Sequence, residues 1–165
     1  MADQIKKLVV YYSLNGNTAF IAKTIAEAIQ ADVLVLQSKK MMPSSTILKL
    51  LWAGKQVFTK EKPELLAFEK NPAEYDLIFL GTPVWAGSYA SALRTFFATV
   101  ALQHKNIALF CCYGGSEGNA FQKMKEALAG NTFSGDMGFR APLKNAEANA
   151  QKAREWAKMI QEKVL

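Results

Sequence analysis

Small polar residues follow an apolar run near the start of the sequence, and their types suit the binding of an anion. Between that run and the next helical pattern lie Ser13, Leu14, Asn15, Gly16, Asn17 and Thr18. Their side chains offer hydroxyls and amides, and their successive backbone N–H groups would lie at the positive end of a helix. Gly16 permits a positive φ, so the loop can curve around its ligand. The pattern predicts a loop for a phosphate monoester, with a capped helix start at Asn17 or Thr18 as the alternative.

A second candidate group is the stretch "GTPVWAG", residues 81–87, which follows another apolar run. Its first three residues are expected to end a strand, and Trp85 is expected to lie on a glycine-containing turn. The indole would offer a flat apolar face to a planar ring, unless it serves as a core anchor. The candidate contacts in this loop are Thr82, Pro83, Val84, Trp85, Ala86 and Gly87.

A third candidate loop begins at Tyr113, Gly114 and Gly115, after a further apolar run. Its backbone N–H groups would suit the polar edge of a ring, with Tyr113 as an ordinary strand-end residue in the alternative interpretation. In a doubly wound sheet of strand order 2-1-3-4-5, the loops after the first and third strands border the same crevice. The first two loops are therefore expected to face one pocket.

The elements that must position these loops are five strand-like runs that alternate with helical patterns, which is typical of a parallel sheet covered on both faces. Runs such as "LIFLG" and "IALFCC" are apolar at almost every position, as strands buried on both faces require. The predicted strands are 7–12, 33–36, 77–81, 107–113 and 132–139. We expect one domain over residues 1–165 with an α/β fold, a three-layer, doubly wound, five-stranded parallel sheet of order 2-1-3-4-5.

Apolar residues recur at helical spacing in three segments between and after these runs, and such stripes face a core. The stripes are Ile21, Ile25, Ala28 and Ile29; Tyr89, Leu93, Phe96, Phe97 and Val100; and Ala153, Trp156, Ala157, Ile160 and Val164.

The interval 38–76 is too long for a simple crossover between two strands. Within it, "STILKLLWAGKQVF" places Ile47, Leu50, Leu51 and Phe58 on one helical face, and prolines punctuate the residues after this segment. The pattern predicts an inserted helix and then a loop-rich return to the third strand. We expect Trp52 of this insertion to pack in the protein rather than to cover a ligand.

The composition is that of a globular protein, with 50% hydrophobic and 21% charged residues. No window approaches the ~18 uninterrupted apolar residues of a transmembrane helix, and no signal-peptide cleavage pattern follows the N-terminal apolar run. Cys111 and Cys112 are adjacent, which suits a reducing compartment. We therefore expect a cytoplasmic protein with no membrane partner. The net charge of +6 comes from scattered lysines without a recognition motif, so nucleic-acid binding is not expected.

The sequence lacks the residues on which several other chemistries of α/β proteins depend. The first loop has no lysine, as a nucleoside-triphosphate loop would, and no Gly-x-Gly-x-x-Gly fingerprint. Neither cysteine has the arginine that a low-molecular-weight phosphatase needs several residues later. The first and third strands end in Ser13 and Gly81 rather than in the carboxylates of a receiver domain. With His104 as the single histidine, no metal site is expected.

At its loops the chain resembles the flavodoxin-like family of FMN-binding proteins. The family's phosphate loop reads Ser/Thr-x-Thr-Gly-x-Thr, and "SLNGNT" departs from it only at Asn15. The family's second loop, Gly-x-Pro-Thr-Trp and a turn, appears as "GTPVWAG". The resemblance implies a flavodoxin-like fold, non-covalent FMN, phosphate contacts in the first loop, and ring contacts at Thr82, Pro83 and Trp85. The third loop matches less well, because the family pattern Gly-Asp-Gln-x-x-Tyr has no counterpart with an aspartate here.

For function, the resemblance implies an electron carrier in which FMN performs the redox chemistry and no side chain is catalytic. Redox partner proteins are implied, and the basic charge predicts an acidic docking face on them. A small NAD(P)H-dependent quinone or flavin reductase of the same fold is the alternative, and it would need room for nicotinamide beside the ring. An interaction module that responds to flavin is also open, as are monomeric and homodimeric states.

Overall fold

A parallel sheet forms the centre of the structure, a computed structural model that describes residues 4–40 and 42–165. Its strands are β1 (Lys7–Tyr11), β2 (Asp32–Val35), β3 (Leu77–Trp85), β5 (Asn106–Tyr113) and β6 (Thr132–Arg140). They lie side by side in the order β2-β1-β3-β5-β6, and all these pairings are parallel. A short strand, β4 (Ser88–Tyr89), pairs antiparallel with β3. The predicted order 2-1-3-4-5 is confirmed, since β4 only renumbers the last two strands.

Helices cover both faces of the sheet, as the alternating pattern predicted. They are α1 (Asn17–Ile29), α2 (Thr46–Phe58), α3 (Ser91–Thr99), α4 (Ala120–Ala127) and α5 (Ala146–Val164), with 3₁₀ turns at Pro72–Glu74 and Pro142–Asn145. Helices α1 and α5 share one apolar core, and α2, α3 and α4 contribute to the core on the other face. Along the central strands, Phe79 faces the first core and Ile78 the second. None of the helices in the described ranges combines the length and the apolar character that crossing a bilayer requires.

Strand β3 is longer than the sequence predicted. The predicted strand ended at residue 81, but pairing with β5 continues to Pro83, which lies opposite Cys112. Val84 and Trp85 then pair with β4 to form a hairpin. A glycine is required at the start of this extension, since a Cβ on Gly81 would overlap the ring of Phe110. The predicted loop is therefore a regular strand that leads into a tight turn.

The inserted helix is present as α2, but its main apolar face does not point at the core. Ile47, Leu50, Leu51 and Phe58 are between 64% and 89% exposed. The opposite face carries the buried residues Ala53 and Gln56 and the partly buried residues Trp52 and Val57. The side chain of Gln56 accepts a hydrogen bond from the Ser91 hydroxyl at the start of α3. The inward face of α2 therefore combines apolar packing with a buried polar pair, and the largest apolar stripe faces outward.

Candidate functional site

A pocket of about 280 Å³ lies at the carboxyl ends of β1, β3 and β5, where the three candidate loops meet. The first loop contributes Leu14, Asn15, Asn17 and Thr18; the second contributes Pro83, Val84 and Trp85; the third contributes Tyr113 and Gly114. Three lining residues were not among the sequence candidates, namely Leu50, Cys112 and Ala141. The candidates Ser13, Gly16, Thr82, Ala86, Gly87 and Gly115 lie outside the lining.

The first loop presents a row of backbone N–H groups with no acceptor among the described residues. They belong to Leu14, Asn15, Gly16, Asn17 and Thr18. The next N–H groups along the chain are satisfied, since Ala19 donates to Ser13 Oγ at 3.1 Å and Phe20 donates to the Gly16 carbonyl at 3.0 Å. Gly16, with φ of +88°, is the N-cap residue of α1, so neither Asn17 nor Thr18 caps this helix. Unpaired donors at a positive helix end are the chemistry of an anion cradle.

The side chain of Asn17 joins the first loop to the turn between β6 and α5. Its Oδ1 accepts a hydrogen bond from the Leu143 N–H at 3.2 Å. Leu143 belongs to the 3₁₀ turn that precedes α5, and this turn brings Ala141 to the pocket. Asn17 therefore positions the loop through a contact 126 residues away in the sequence, which no local pattern indicates.

Trp85 sits at the centre of an aromatic cluster that forms one wall of the pocket. It is 6% exposed, and its indole meets the ring of Tyr12 edge-on with centroids 5.4 Å apart. Trp52 of α2 packs against it at 5.7 Å, so this residue of the insertion does pack as expected. The indole lines the pocket, and the edge-on contacts hold its ring in a defined orientation. Trp85 therefore agrees with both sequence interpretations, because it lines the pocket and is also buried in the core.

Thr82 supports the hairpin through its side chain. It is fully buried, its hydroxyl accepts a hydrogen bond from the Ala90 N–H at 2.9 Å, and it donates to the Pro83 carbonyl at 2.8 Å. Beyond it, Ala86 and Gly87 have φ of +45° and +70°. Positive φ at both central residues is the requirement of a type I′ hairpin turn, and glycine meets it without strain.

The third loop is attached to this hairpin turn. The Asn119 N–H donates to the Gly87 carbonyl at 2.9 Å, and a Cβ on Gly118 would lie 2.5 Å from Gly87 Cα. The other side of the loop is held by β6, because Arg140 Nε donates to the Gly114 carbonyl at 3.1 Å. The second and third loops therefore form one connected wall. They meet where Gly118 approaches Gly87, both of which are glycines.

Cys112 is a pocket residue that sequence reasoning missed. As a strand residue directly before Tyr113, it belongs to the carboxyl end of β5, and that position was the available signal. Burial raises the pKa of its thiol from 9.0 to about 12, against the opposing effect of a hydrogen bond with Thr18. The thiol is protonated at neutral pH and is therefore a poor nucleophile and metal ligand.

None of the lining residues carries a charge at neutral pH. Within residues 4–40 and 42–165 there is also no group of His, Cys, Asp or Glu side chains that would hold a metal ion. The unpaired N–H groups of the first loop suit an anionic group, and the indole of Trp85 offers a flat apolar surface for a planar ring.

Comparison with known proteins finds flavodoxins and other flavoproteins. The sequence model of a family described as flavodoxin matches residues 6–159. A putative flavoprotein from Bacteroides uniformis has a TM-score of 0.80 and 24% identity, over 94% of this chain and 99% of that one. A Lactobacillus acidophilus flavoprotein, solved in complex with FMN, has a TM-score of 0.72 and 21% identity, over 86% and 98%. The two-electron reduced flavodoxin of Megasphaera elsdenii has a TM-score of 0.57 and 24% identity, over 92% and 98%.

We expect the free energy of unfolding to fall as the pH rises above about 9, in part through Cys112. The unfolded chain loses this proton from the ordinary pKa of 9.0, whereas the folded chain keeps it to about 12. Between these values the native state binds more protons, so stability falls with pH; below them the contribution is fully present. Urea unfolding between about pH 8 and about pH 11 should show a shallower decline for Cys112→Ala, by up to about 1.4 kcal/mol per pH unit. Identical slopes would mean that the thiol ionises freely in the folded protein.

Proposed function

The chain belongs to the flavodoxin family, and on that basis we propose that it is an electron-transfer protein of the flavodoxin type, with non-covalent FMN in the pocket at the carboxyl ends of its strands. FMN is the cofactor of the family, and when bound it supplies one- and two-electron redox chemistry that the uncharged lining cannot supply. The chain's own residues then bind the cofactor, orient its ring and exclude water from it.

The residues present fit such a cofactor. The observation that carries the proposal is the coexistence, in one pocket, of five unpaired N–H groups and the oriented indole of Trp85. The N–H groups of residues 14–18 would bind the phosphate, and no carboxylate lines the pocket to repel it. Trp85 would lie beside the ring system, and the backbone of Gly114 and Gly115 would face its polar edge. The volume, about 280 Å³, is near the lower limit of small-molecule pockets.

A small NAD(P)H-dependent quinone or flavin reductase is the second candidate. One observation favours it: Leu50 lines the pocket although it is 64% exposed, so the pocket opens to solvent beside α2. A second planar molecule would approach a bound ring from this side. A reductase must accept a hydride from a nicotinamide in contact with the ring, whereas a carrier needs contact only with a partner protein.

Anaerobic reduction of the FMN-saturated protein separates the two candidates. We expect NADPH and NADH to leave the flavin absorbance unchanged, and a photochemical one-electron donor to reduce it, because the N–H groups that would bind a nicotinamide nucleotide's phosphate in this pocket are those that the FMN phosphate would occupy. Free FMN under the same conditions is the control. Rapid bleaching by NADPH, at a rate that saturates with its concentration, would establish the reductase instead. Failure to retain FMN after gel filtration would refute the FMN proposal itself.

The connected wall of the pocket gives a second prediction. Gly118→Ala should weaken FMN binding about tenfold or more, because the new Cβ would displace the Gly87 turn from the third loop. The measurement is titration of FMN fluorescence as it is quenched on binding. Gly54→Ala in α2 is the matched control, since a Cβ there meets no atom within 4 Å, and its affinity should stay within about twofold. Equal affinities for the two variants would show that the contact between the loops does not position the cofactor.

We further propose that the redox partners present an acidic face, because the chain has a net charge of +6. Reduced protein should transfer electrons to an acidic iron–sulfur protein at a rate that falls about tenfold or more between low and physiological ionic strength. Transfer to a basic c-type cytochrome, compared at the same driving force, should rise slightly with salt. The opposite pair of salt dependences would contradict an acidic docking face.

A further inference from the structure

A second cavity, of about 500 Å³, lies on the far arm of the hairpin that borders the FMN pocket. Trp85 and Val84 of β3 line the first pocket, whereas Ser88 and Tyr89 of β4 line this one, and the two share no lining residue. Its walls also come from the C-terminal end of α2, from α3 and from α4. Five of its lining residues are charged: Lys60, Lys62, Arg94, Lys123 and Glu126. We call it the basic cavity, since four of these charges are positive.

The positive side chains of the basic cavity form no ion pair with any residue in the described part of the chain. No ion pair and no side-chain hydrogen bond involves Lys60, Lys62, Lys123 or Arg94 there. Glu126, the single acid, accepts a hydrogen bond from Gln122 at 3.2 Å instead. Four cations around one concave surface produce a focused positive potential, which attracts anions with several charges.

Arg94 lies on the wall of the cavity against Tyr89. Its guanidinium carbon is 5.6 Å from the centroid of the Tyr89 ring, a cation–π arrangement that holds the group in place. Its Nη1 is shielded from solvent and has no hydrogen-bond partner among the described residues. A buried nitrogen without an acceptor is costly. An anion in the cavity cannot reach this shielded atom, but it would stabilise the guanidinium through its opposite charge. Arginine is also the side chain best suited to bidentate binding of phosphate.

Lys60 occupies a backbone position that favours glycine. Its φ is +53°, and it follows the C-cap residue of α2. Its N–H donates to the Val57 carbonyl at 3.2 Å, and the Glu61 N–H donates to the Gln56 carbonyl at 3.0 Å. This pair of bonds is a Schellman motif, whose left-handed residue is usually glycine. A lysine there adds a cation to the cavity at the expense of backbone strain.

The segment that carries Lys60 and Lys62 is also fixed to α3. The hydroxyl of Thr95, next to Arg94, donates to the Pro63 carbonyl at 2.6 Å. Pro63 is buried, so the chain after α2 returns against α3 rather than extending into solvent. This bond holds the backbone of the two lysines near the guanidinium in the folded protein.

We propose that the basic cavity binds a phosphorylated small molecule of nucleotide size. The volume lies within the range of small-molecule sites, and the charge matches a ligand with two or more phosphate charges. The partly buried position of Arg94 favours a ligand that enters the cavity over the flat acidic face of a protein. The proposal is independent of the FMN site, because no residue is shared.

Isothermal titration of the protein with ADP and with pyrophosphate tests the proposal. We expect one site with the same affinity in FMN-saturated and FMN-free protein. Arg94→Gln and Lys60→Gly should each weaken ADP binding, the former about tenfold or more. Lys158→Gln, an exposed charge on α5 across the sheet, is the matched control and should change affinity by less than about twofold.

Lys60→Gly keeps the test valid if Arg94→Gln proves unstable, because glycine suits the left-handed position and should leave the melting temperature equal or higher. Four results would overturn the proposal: no binding of ADP or pyrophosphate, equal weakening by Lys158→Gln, competition of ADP with FMN, or binding unaffected by Lys60→Gly. Tighter binding of a polyglutamate peptide than of ADP, lost in Arg94→Gln, would overturn it in favour of a protein ligand.

Discussion

Parallel pairing of β1, β3 and β5 is the constraint on which the rest of this structure depends. Parallel strands end at the same edge of a sheet, so three loops that are far apart in the sequence emerge side by side. Their crossovers return over the faces, which leaves the edge itself uncovered. The N–H groups of the first loop can remain without an internal partner only because that edge is open to a ligand or to water. The pocket is therefore a consequence of topology, and the loop residues decide what it can bind.

The hairpin of β3 and β4 lies between two sites of different charge. One arm carries Trp85 toward an uncharged pocket, and the other carries Tyr89 toward a cavity with four cations. The hairpin is held by Thr82 at its base and by the close contact of Gly87 with Gly118 at its turn. The two sites therefore share one wall, the hairpin, which is held at its base and at its turn.

Helix α2 differs from the other helices in the side chains that it buries. Its inward face is small and includes the buried side chain of Gln56, while its larger apolar side chains remain exposed. Burial of apolar area would favour the opposite orientation. The hydrogen bond with Ser91 and the packing of Trp52 on Trp85 act against it. This helix borders both the pocket, through Leu50, and the basic cavity, through Val57.

Local patterns in the sequence indicated the strands, the three candidate loops and the family resemblance, because apolar periodicity and loop composition are properties of neighbouring residues. The predicted strand order came from the doubly wound fold class and not from any local pattern. Strand β3 was predicted too short because glycine and proline at positions 81 and 83 are typical of a strand end, whereas here they continue the pairing. Ala141 and Leu50 were missed because nothing beside them in the sequence marks the edge they reach, whereas the position of Cys112 directly before Tyr113 was a signal that went unused. Only the tertiary structure decided which face of α2 is buried, which loop residues support the site, and where unpaired cations converge. The physical reason is that hydrogen bonds such as that of Leu143 with Asn17 are satisfied in three dimensions, where sequence separation carries no cost once the chain has folded.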